Sequence, residues 1–104
     1  MKVWLDDRRP APKGWRRAKT ADEAIRLLDT DEVEIISFDH DLGTLETGYT
    51  VAEYLEYSAA SGTLERVKWR VHSANPVGRK RIEVAMHSAE RFWDKWEASE
   101  MEGV

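Results

Sequence analysis

The chain has 104 residues, which suits one domain with a core of its own and leaves no room for a second. It has no cysteine, which excludes disulfides and thiolate metal sites, and no apolar run approaches the roughly 18 residues of a membrane span. A net charge of −4 argues against broad nonspecific binding to nucleic acid. We therefore expect a single cytoplasmic domain over residues 1–104.

The charges are unevenly distributed along the chain. Residues 1–19 contain seven basic side chains against two aspartates, although the whole chain is acidic. A locally basic entrance to a site can attract an anion despite a negative net charge.

Predicted strands and helices alternate from the N-terminus onward. Strands are predicted over residues 2–5 and 15–19, with a loop rich in Pro and Gly between them. A helix is predicted over residues 20–29, where Thr20 can cap the first turn and Glu23 completes a capping box.

The alternation continues through the second half. Residues 33–38 are apolar on both faces and predict a central strand, and residues 47–62 predict a helix. Residues 67–71 alternate strictly between apolar and polar, as a half-buried edge strand does. A long helix follows the N-cap Asn75. Its apolar stripe, expected to be buried, consists of Ile82, Ala85, Met86, Ala89, Trp93 and Trp96.

This order of elements predicts a mainly parallel four-stranded sheet in an α/β sandwich. The most apolar strands, the first and third, belong in the middle, which gives the order 2-1-3-4. Residues 8–14 are too few for a crossover helix, so the second strand either follows an extended loop or runs antiparallel. The core is expected over about residues 2–97, followed by a frayed acidic tail over 98–104.

Polar side chains collect where three of these strands end. In open α/β sheets, ligands bind beyond the carboxyl ends of the strands, where the strand order reverses. The residues that the strand ends supply there are Asp6, Asp7, Asp39, His40, Asp41, His72, Ser73 and Asn75.

The aspartates predict a site for a hard divalent cation, Mg²⁺ or Mn²⁺. Asp6, Asp7 and Asp39 would repel one another without a cation, and Asp39 ends a buried strand, where an unpaired carboxylate is costly. Asp41 is either a further ligand or an orienting group. A zinc or iron site formed by two His and one Asp is a less favoured alternative. If these residues have no function, they form an exposed cluster of ion pairs.

His40 and His72 are candidates for a general acid and base pair, although each alone could be an ordinary structural histidine. Ser73 and the helix start after Asn75 form a candidate anion-binding turn, and Arg79 lies one turn further along. A plain Asn-Pro helix start is the simpler alternative for this turn.

The sequence resembles the receiver-domain superfamily, and within it the branch described as cyclic-phosphate-processing receiver domains. The resemblance covers roughly residues 2–90 and rests on the segments VWLDDRRPAPKGW, TADEAI, SFDHDLG, TGY and VHSANPVGR. It implies a three-layer, flavodoxin-like sandwich. In receivers, an acidic pair and a later Asp bind Mg²⁺, and the latter accepts a phosphoryl group. Asp6, Asp7 and Asp39 match these positions, and Ser73 matches a small hydroxyl residue.

The departures from receivers are equally informative. The fold is expected to be truncated after the fourth strand and a long C-terminal helix, without the strand that carries a phosphate-binding Lys in receivers. Arg8 or Arg79 is the candidate substitute for that Lys. His40 and His72 have no equivalent in a phospho-acceptor site, and the helix between the first two strands is missing. These differences favour hydrolysis over partnership with a histidine kinase.

The function that the resemblance implies is metal-dependent hydrolysis of a cyclic phosphate, such as a nucleotide or RNA-end 2′,3′-cyclic phosphate. One of His40 and His72 would deprotonate water and the other would protonate the leaving ribose oxygen. A covalent route with Asp39 as nucleophile uses the same residues. The alternative is a degenerate receiver that binds a phosphate or nucleotide without turnover, or that signals through a protein partner.

Overall fold

Seven elements follow one another in the predicted order in the computed structural model, which describes residues 1–102. None of the helices within this range is both long and apolar enough to cross a membrane. The strands and helices are β1 (Lys2–Leu5), β2 (Trp15–Ala18), α1 (Ala21–Leu28), β3 (Ile35–Phe38), α2 (Gly48–Ser61), β4 (Lys68–Val71) and α3 (Pro76–Glu102).

The four strands form one parallel sheet with the order β2-β1-β3-β4, as predicted. The direction of β2, which the sequence left open, is parallel to β1. The chain therefore returns from the end of β1 to the start of β2 through residues 6–14 without a helix. A turn closes this loop: the Trp15 N–H donates to the carbonyl of Pro12 at 3.0 Å, and Gly14 adopts a φ of 85°.

The core lies between one face of the sheet and all three helices. Val3 and Leu5 of β1 pair with Ile36 and Phe38 of β3, and these four side chains are fully buried. They form one cluster with the buried residues of the helices, which are Ala21, Ala24 and Leu28 of α1, Val51, Ala52, Leu55 and Ala59 of α2, and Ile82, Ala85, Met86, Ala89 and Trp93 of α3.

The helices consequently form a single layer on one side of the sheet. The receiver-like class, the strand order and the long C-terminal helix are confirmed. Within residues 1–102, the second helical layer of a three-layer sandwich has no counterpart, because the loop 6–14 replaces the helix that would begin it.

The helix caps follow the sequence with one local shift. Thr20 accepts a hydrogen bond from the Glu23 N–H at 3.1 Å, but the Glu23 carboxylate accepts from the Lys19 N–H instead of the Thr20 N–H. The predicted capping box is therefore displaced by one residue. Asn75 caps α3 as expected, because its Oδ1 accepts from the Gly78 N–H at 3.1 Å.

The predicted apolar stripe of α3 is buried only as far as Trp93. Trp96 was expected in the core but is 47% exposed, with its indole N–H donating to the carbonyl of Ala59 at 2.8 Å. The partner helix α2 ends at Ser61, so α3 has little left to pack against beyond this point. Helix α3 runs to Glu102, through most of the segment predicted as a tail, and residues 103–104 lie outside the described range.

The core predicts a clear difference between two identical substitutions. Leu55 is fully buried between α2 and the sheet, whereas Leu45 is fully exposed. We expect Leu55→Ala to lower the free energy of unfolding by about 2–5 kcal/mol through the cavity it leaves. Leu45→Ala should change it by about 0.5 kcal/mol or less. Urea denaturation of the two variants measures this, and equal losses would contradict the assigned core.

Candidate metal and phosphate site

The carboxyl ends of β1, β3 and β4 meet at one edge of the sheet, as the sequence predicted. Asp6, Asp39 and His72 are the first residues after these strands. Backbone hydrogen bonds extend the sheet pairing to them: the Asp39 N–H donates to the carbonyl of Leu5, and the His72 N–H donates to that of Phe38, both at 2.9 Å. The three side chains therefore start from neighbouring positions.

Three carboxylates converge at this edge. Asp6, Asp7 and Asp39 each present an oxygen, and these oxygens lie within 4.8 Å of one another. Asp6 is fully buried, and the other two are half-buried. In the described part of the chain, neither Asp7 nor Asp39 forms an ion pair. Because the donors are all oxygens and two of the three carboxylates have no ion-pair partner within residues 1–102, the cluster fits a hard divalent cation.

Asp6 is held more firmly than its neighbours. Its Oδ1 accepts from the backbone N–H groups of Arg8 and Arg9, both at 2.8 Å, and its Oδ2 lies 3.1 Å from Nε2 of His72. Burial alone would raise the pKa of Asp6, but these donors together hold that pKa below its ordinary value. Asp6 is therefore an ionised carboxylate with a fixed orientation.

His72 links this carboxylate to the sheet. Its ring stacks on Trp4 with the centroids 3.8 Å apart and an angle of 5° between the planes, and its Nδ1 lies 2.8 Å from Oγ of Ser37. Since the Asp6 carboxylate can only accept, we assign the ring proton to Nε2, so that Nδ1 accepts from the Ser37 hydroxyl. Burial lowers the pKa of His72 although Asp6 opposes this effect, which agrees with the neutral ring.

His40 occupies a different environment beside the start of α3. A Cβ atom at Gly78 would overlap its ring, so the close approach of helix and imidazole requires glycine there. Nδ1 of His40 lies 3.1 Å from Oδ1 of Asp41, whereas Nε2 is buried and, among residues 1–102, has no hydrogen-bond partner. The bonds from His40 and from the Asn75 amide lower the pKa of Asp41.

Acidic and basic groups line one cavity of about 300 Å³ at this edge. Its lining residues are Asp6, Asp7, Arg8, Arg9, Asp39, Asp41, Gly43, Ala74 and Asn75. A larger cavity, about 380 Å³, lies near the opposite ends of the strands and is lined by none of the predicted site residues.

Two polar residues of the site did not emerge from the sequence. Arg9 lines the cavity, and its Nη1 donates to the carbonyl of His72 at 2.9 Å. Its position three residues after Asp6 was the available signal. Ser37 is fully buried against His72, and a single hydroxyl within an apolar strand was the signal for it.

Not every predicted residue faces the cavity. Arg8 and Asn75, two of the predicted phosphate-binding residues, line it. Ser73 is instead buried, with its Oγ accepting from the Asn75 N–H at 3.1 Å, and Arg79 lies 3.8 Å from the Glu83 carboxylate. The imidazoles of His40 and His72 also lie outside the cavity lining, each behind a carboxylate that forms it.

The start of α2 closes tightly against the site. The Gly48 N–H donates to the carbonyl of His40 at 2.9 Å, and a Cβ atom at Gly48 would overlap the carbonyl oxygen of Asp39. A side chain here can be accommodated only if the backbone that carries Asp39 shifts. The glycine of the TGY segment is therefore required by packing.

This contact predicts that Gly48→Ala lowers the free energy of unfolding by about 3 kcal/mol, because overpacking forces the backbone to move. Gly14→Ala is the control, since a Cβ atom there meets no heavy atom within 4 Å and only the positive φ opposes it. That variant should lose about 1 kcal/mol. Thermal and urea unfolding compare the two, and a larger loss for Gly14→Ala would refute the packing argument.

The amino-acid sequence matches one known protein family. The family described as "Cyclic-phosphate processing Receiver domain" matches residues 1–88. No curated protein and no solved structure matches the chain significantly. The matched range contains all four strands and every residue that lines the cavity. The chain therefore belongs to the family of cyclic-phosphate processing receiver domains.

Proposed function

We propose that this domain hydrolyses a cyclic phosphate with the help of Mg²⁺ or Mn²⁺ held by Asp6, Asp7 and Asp39. The observation that carries the proposal is the convergence of these three carboxylates in a cavity that also contains arginines. The family supports the substrate class through its association with cyclic phosphates. A 2′,3′-cyclic phosphate on a nucleotide or an RNA end is the specific substrate we propose.

The cavity has complementary groups for such a substrate. A bound divalent cation would neutralise a non-bridging phosphate oxygen in the transition state. Arg8 and Arg9 line the same cavity and supply positive charge for the remaining oxygens. Asn75 also lines this cavity, and its amide donates to Asp41. In this proposal the two arginines replace the lysine that receivers carry on their fifth strand.

The reaction requires two proton transfers. The oxygen of a water molecule attacks phosphorus, one bond from phosphorus to a ribose oxygen breaks, and the products are a phosphomonoester and a free hydroxyl group. We assign the proton transfers to His40 and His72, which contact the cavity carboxylates Asp41 and Asp6. Each imidazole acts either through that carboxylate or after its ring has turned toward the cavity. In the covalent variant, Asp39 attacks phosphorus while the bond to one ribose oxygen breaks and that oxygen takes up a proton. Water then hydrolyses the acyl phosphate, which releases the phosphomonoester and restores the Asp39 carboxylate.

The proposal predicts that Asp39→Asn weakens Mn²⁺ binding by roughly 100-fold or more, because an anionic ligand itself is lost and removal of an outer-shell partner already costs roughly 10–100-fold. Asp22→Asn is the matched control, since Asp22 lies on the exposed surface of α1 and, among residues 1–102, pairs only with Arg26. Isothermal titration with Mn²⁺ measures the affinity, and ³¹P NMR follows the hydrolysis of 2′,3′-cyclic nucleotides with metal or EDTA. Undiminished turnover in EDTA would refute the metal requirement.

A second prediction concerns the histidines. We expect His72→Gln and His40→Gln each to reduce turnover roughly 10²–10⁴-fold, because neither amide can exchange a proton with the reactants. Glutamine at position 72 can still donate to Asp6, so Mn²⁺ affinity should be retained. His87→Gln is the control, because His87 is exposed on α3 and bonds Glu90. Full activity of His72→Gln would instead make His72 a residue that only positions Asp6.

One observation favours a second candidate function, the binding of a phosphate ester without turnover. Both ring nitrogens of His72 are already engaged, by Asp6 and by Ser37, as in a purely structural histidine. With a binding module of this kind, the ³¹P NMR signal of every cyclic phosphate tested would keep its intensity over time. It would still bind the nucleotide after His40→Gln or His72→Gln and lose binding after Arg8→Ala, whereas metal-dependent turnover by the wild type would exclude it.

A further inference from the structure

The face of the sheet opposite the helices is rich in cations and tryptophan. Residues that are paired across neighbouring strands lie on the same face of the sheet. Trp4 is buried but lies outside the core cluster, so Trp4 and the residues paired with it lie on the face away from the helices. No helix in the described range packs against it. We call this surface the open face; its strand residues are Lys2, Trp4, Trp15, Arg17, Ile35, Ser37, Lys68 and Arg70.

The charge of the open face has one sign. Half of its strand residues are Lys or Arg, none is Asp or Glu, and Lys2, Lys68 and Arg70 are exposed. Such a surface favours a polyanion. A second copy of this chain is disfavoured as the occupant, because a symmetric interface would set these cations against one another.

Aromatic rings extend across this face toward the cavity. Trp15 is half-buried, with the Arg70 guanidinium 4.7 Å and the Lys2 ammonium 5.9 Å from the centre of its ring. Trp15 meets Trp4 edge to face at 6.0 Å, and Trp4 in turn stacks on His72 beside Asp6. Packed side chains therefore connect the open face with the carboxylate site.

We propose that the open face binds single-stranded RNA. In this proposal the RNA phosphates contact Lys2, Lys68 and Arg70, and one RNA base stacks on the Trp15–Arg70 pair. One class of RNA-binding domain likewise stacks two or three bases of single-stranded RNA on aromatic residues of a four-stranded sheet. The choice of RNA rests on the proposed function, since a 2′,3′-cyclic phosphate requires a ribose. An RNA strand that leaves the open face at the carboxyl ends of β1 and β3 would bring its terminal phosphate to the carboxylate site.

The test uses fluorescence anisotropy with a labelled 12-nucleotide RNA that ends in a 3′-hydroxyl, in EDTA, so that it depends on neither metal nor turnover. The double variant Lys2→Glu/Lys68→Glu should bind the RNA roughly tenfold more weakly or worse. The slope of log K against log salt concentration should become less steep by about 0.7 for each phosphate contact that is lost. The control is the double variant Arg91→Glu/Lys95→Glu, which changes the charge by the same amount on the exposed side of α3. This control should bind the RNA as tightly as the wild type.

The proposal is overturned if the wild type does not bind the RNA, if the Lys2/Lys68 variant binds as tightly as the wild type, or if both pairs lose affinity equally. If the wild type does not bind RNA but sediments as a dimer, and the Lys2/Lys68 variant sediments as a monomer, the open face is instead the interface with a second copy of the chain.

Hydrolysis of a 2′,3′-cyclic mononucleotide separates this inference from the proposed function. Both lysines lie at the strand ends remote from the cavity, so the Lys2/Lys68 variant should keep the wild-type rate. RNA binding by a protein that hydrolyses nothing would refute only the function, and hydrolysis without RNA binding would refute only this inference.

Discussion

The architecture of the site depends on one fully buried carboxylate, that of Asp6. Removing an ionised carboxylate from water is costly unless donors replace the water. Two backbone N–H groups at the start of the β1–β2 loop and the imidazole of His72 after β4 provide this replacement. The same bonds fix the start of the loop and the orientation of His72. Satisfying one charge thus sets the positions of groups that follow two different strands, β1 and β4.

The short β1–β2 loop has a second consequence, for the open face of the sheet. Because no helix forms within residues 6–14, this connection brings no helical layer to the open face. Trp4 is nevertheless only 9% exposed, since His72 stacks on it and Trp15 packs against it. The residues that shield Trp4 also join the open face to the carboxylate cluster. The absence of a helix in this loop therefore leaves the open face uncovered, and this face packs against the site through Trp4 and His72.

Local patterns predicted most of the fold. Apolar content separated the central strands β1 and β3 from the flanking ones, because a parallel strand between two neighbours is covered more completely than one at an edge. Cap residues located the start of α3 at Asn75. Periodicity failed at Trp96, because the apolar spacing of α3 continues beyond the end of α2. A sequence pattern shows which side chains share a helix face, but it does not show how far the partner helix extends.

The sequence by itself determined that Asp6, Asp7 and Asp39 would meet, since parallel strands end at the same edge of a sheet and these residues follow two adjacent strands. The tertiary structure alone decided which other groups face the cavity. It placed Arg9 there instead of Arg79, and it placed His40 and His72 behind two carboxylates that form the lining. These outcomes depend on distances between side chains of different elements, which follow from how loops and helices pack and not from spacing along the chain.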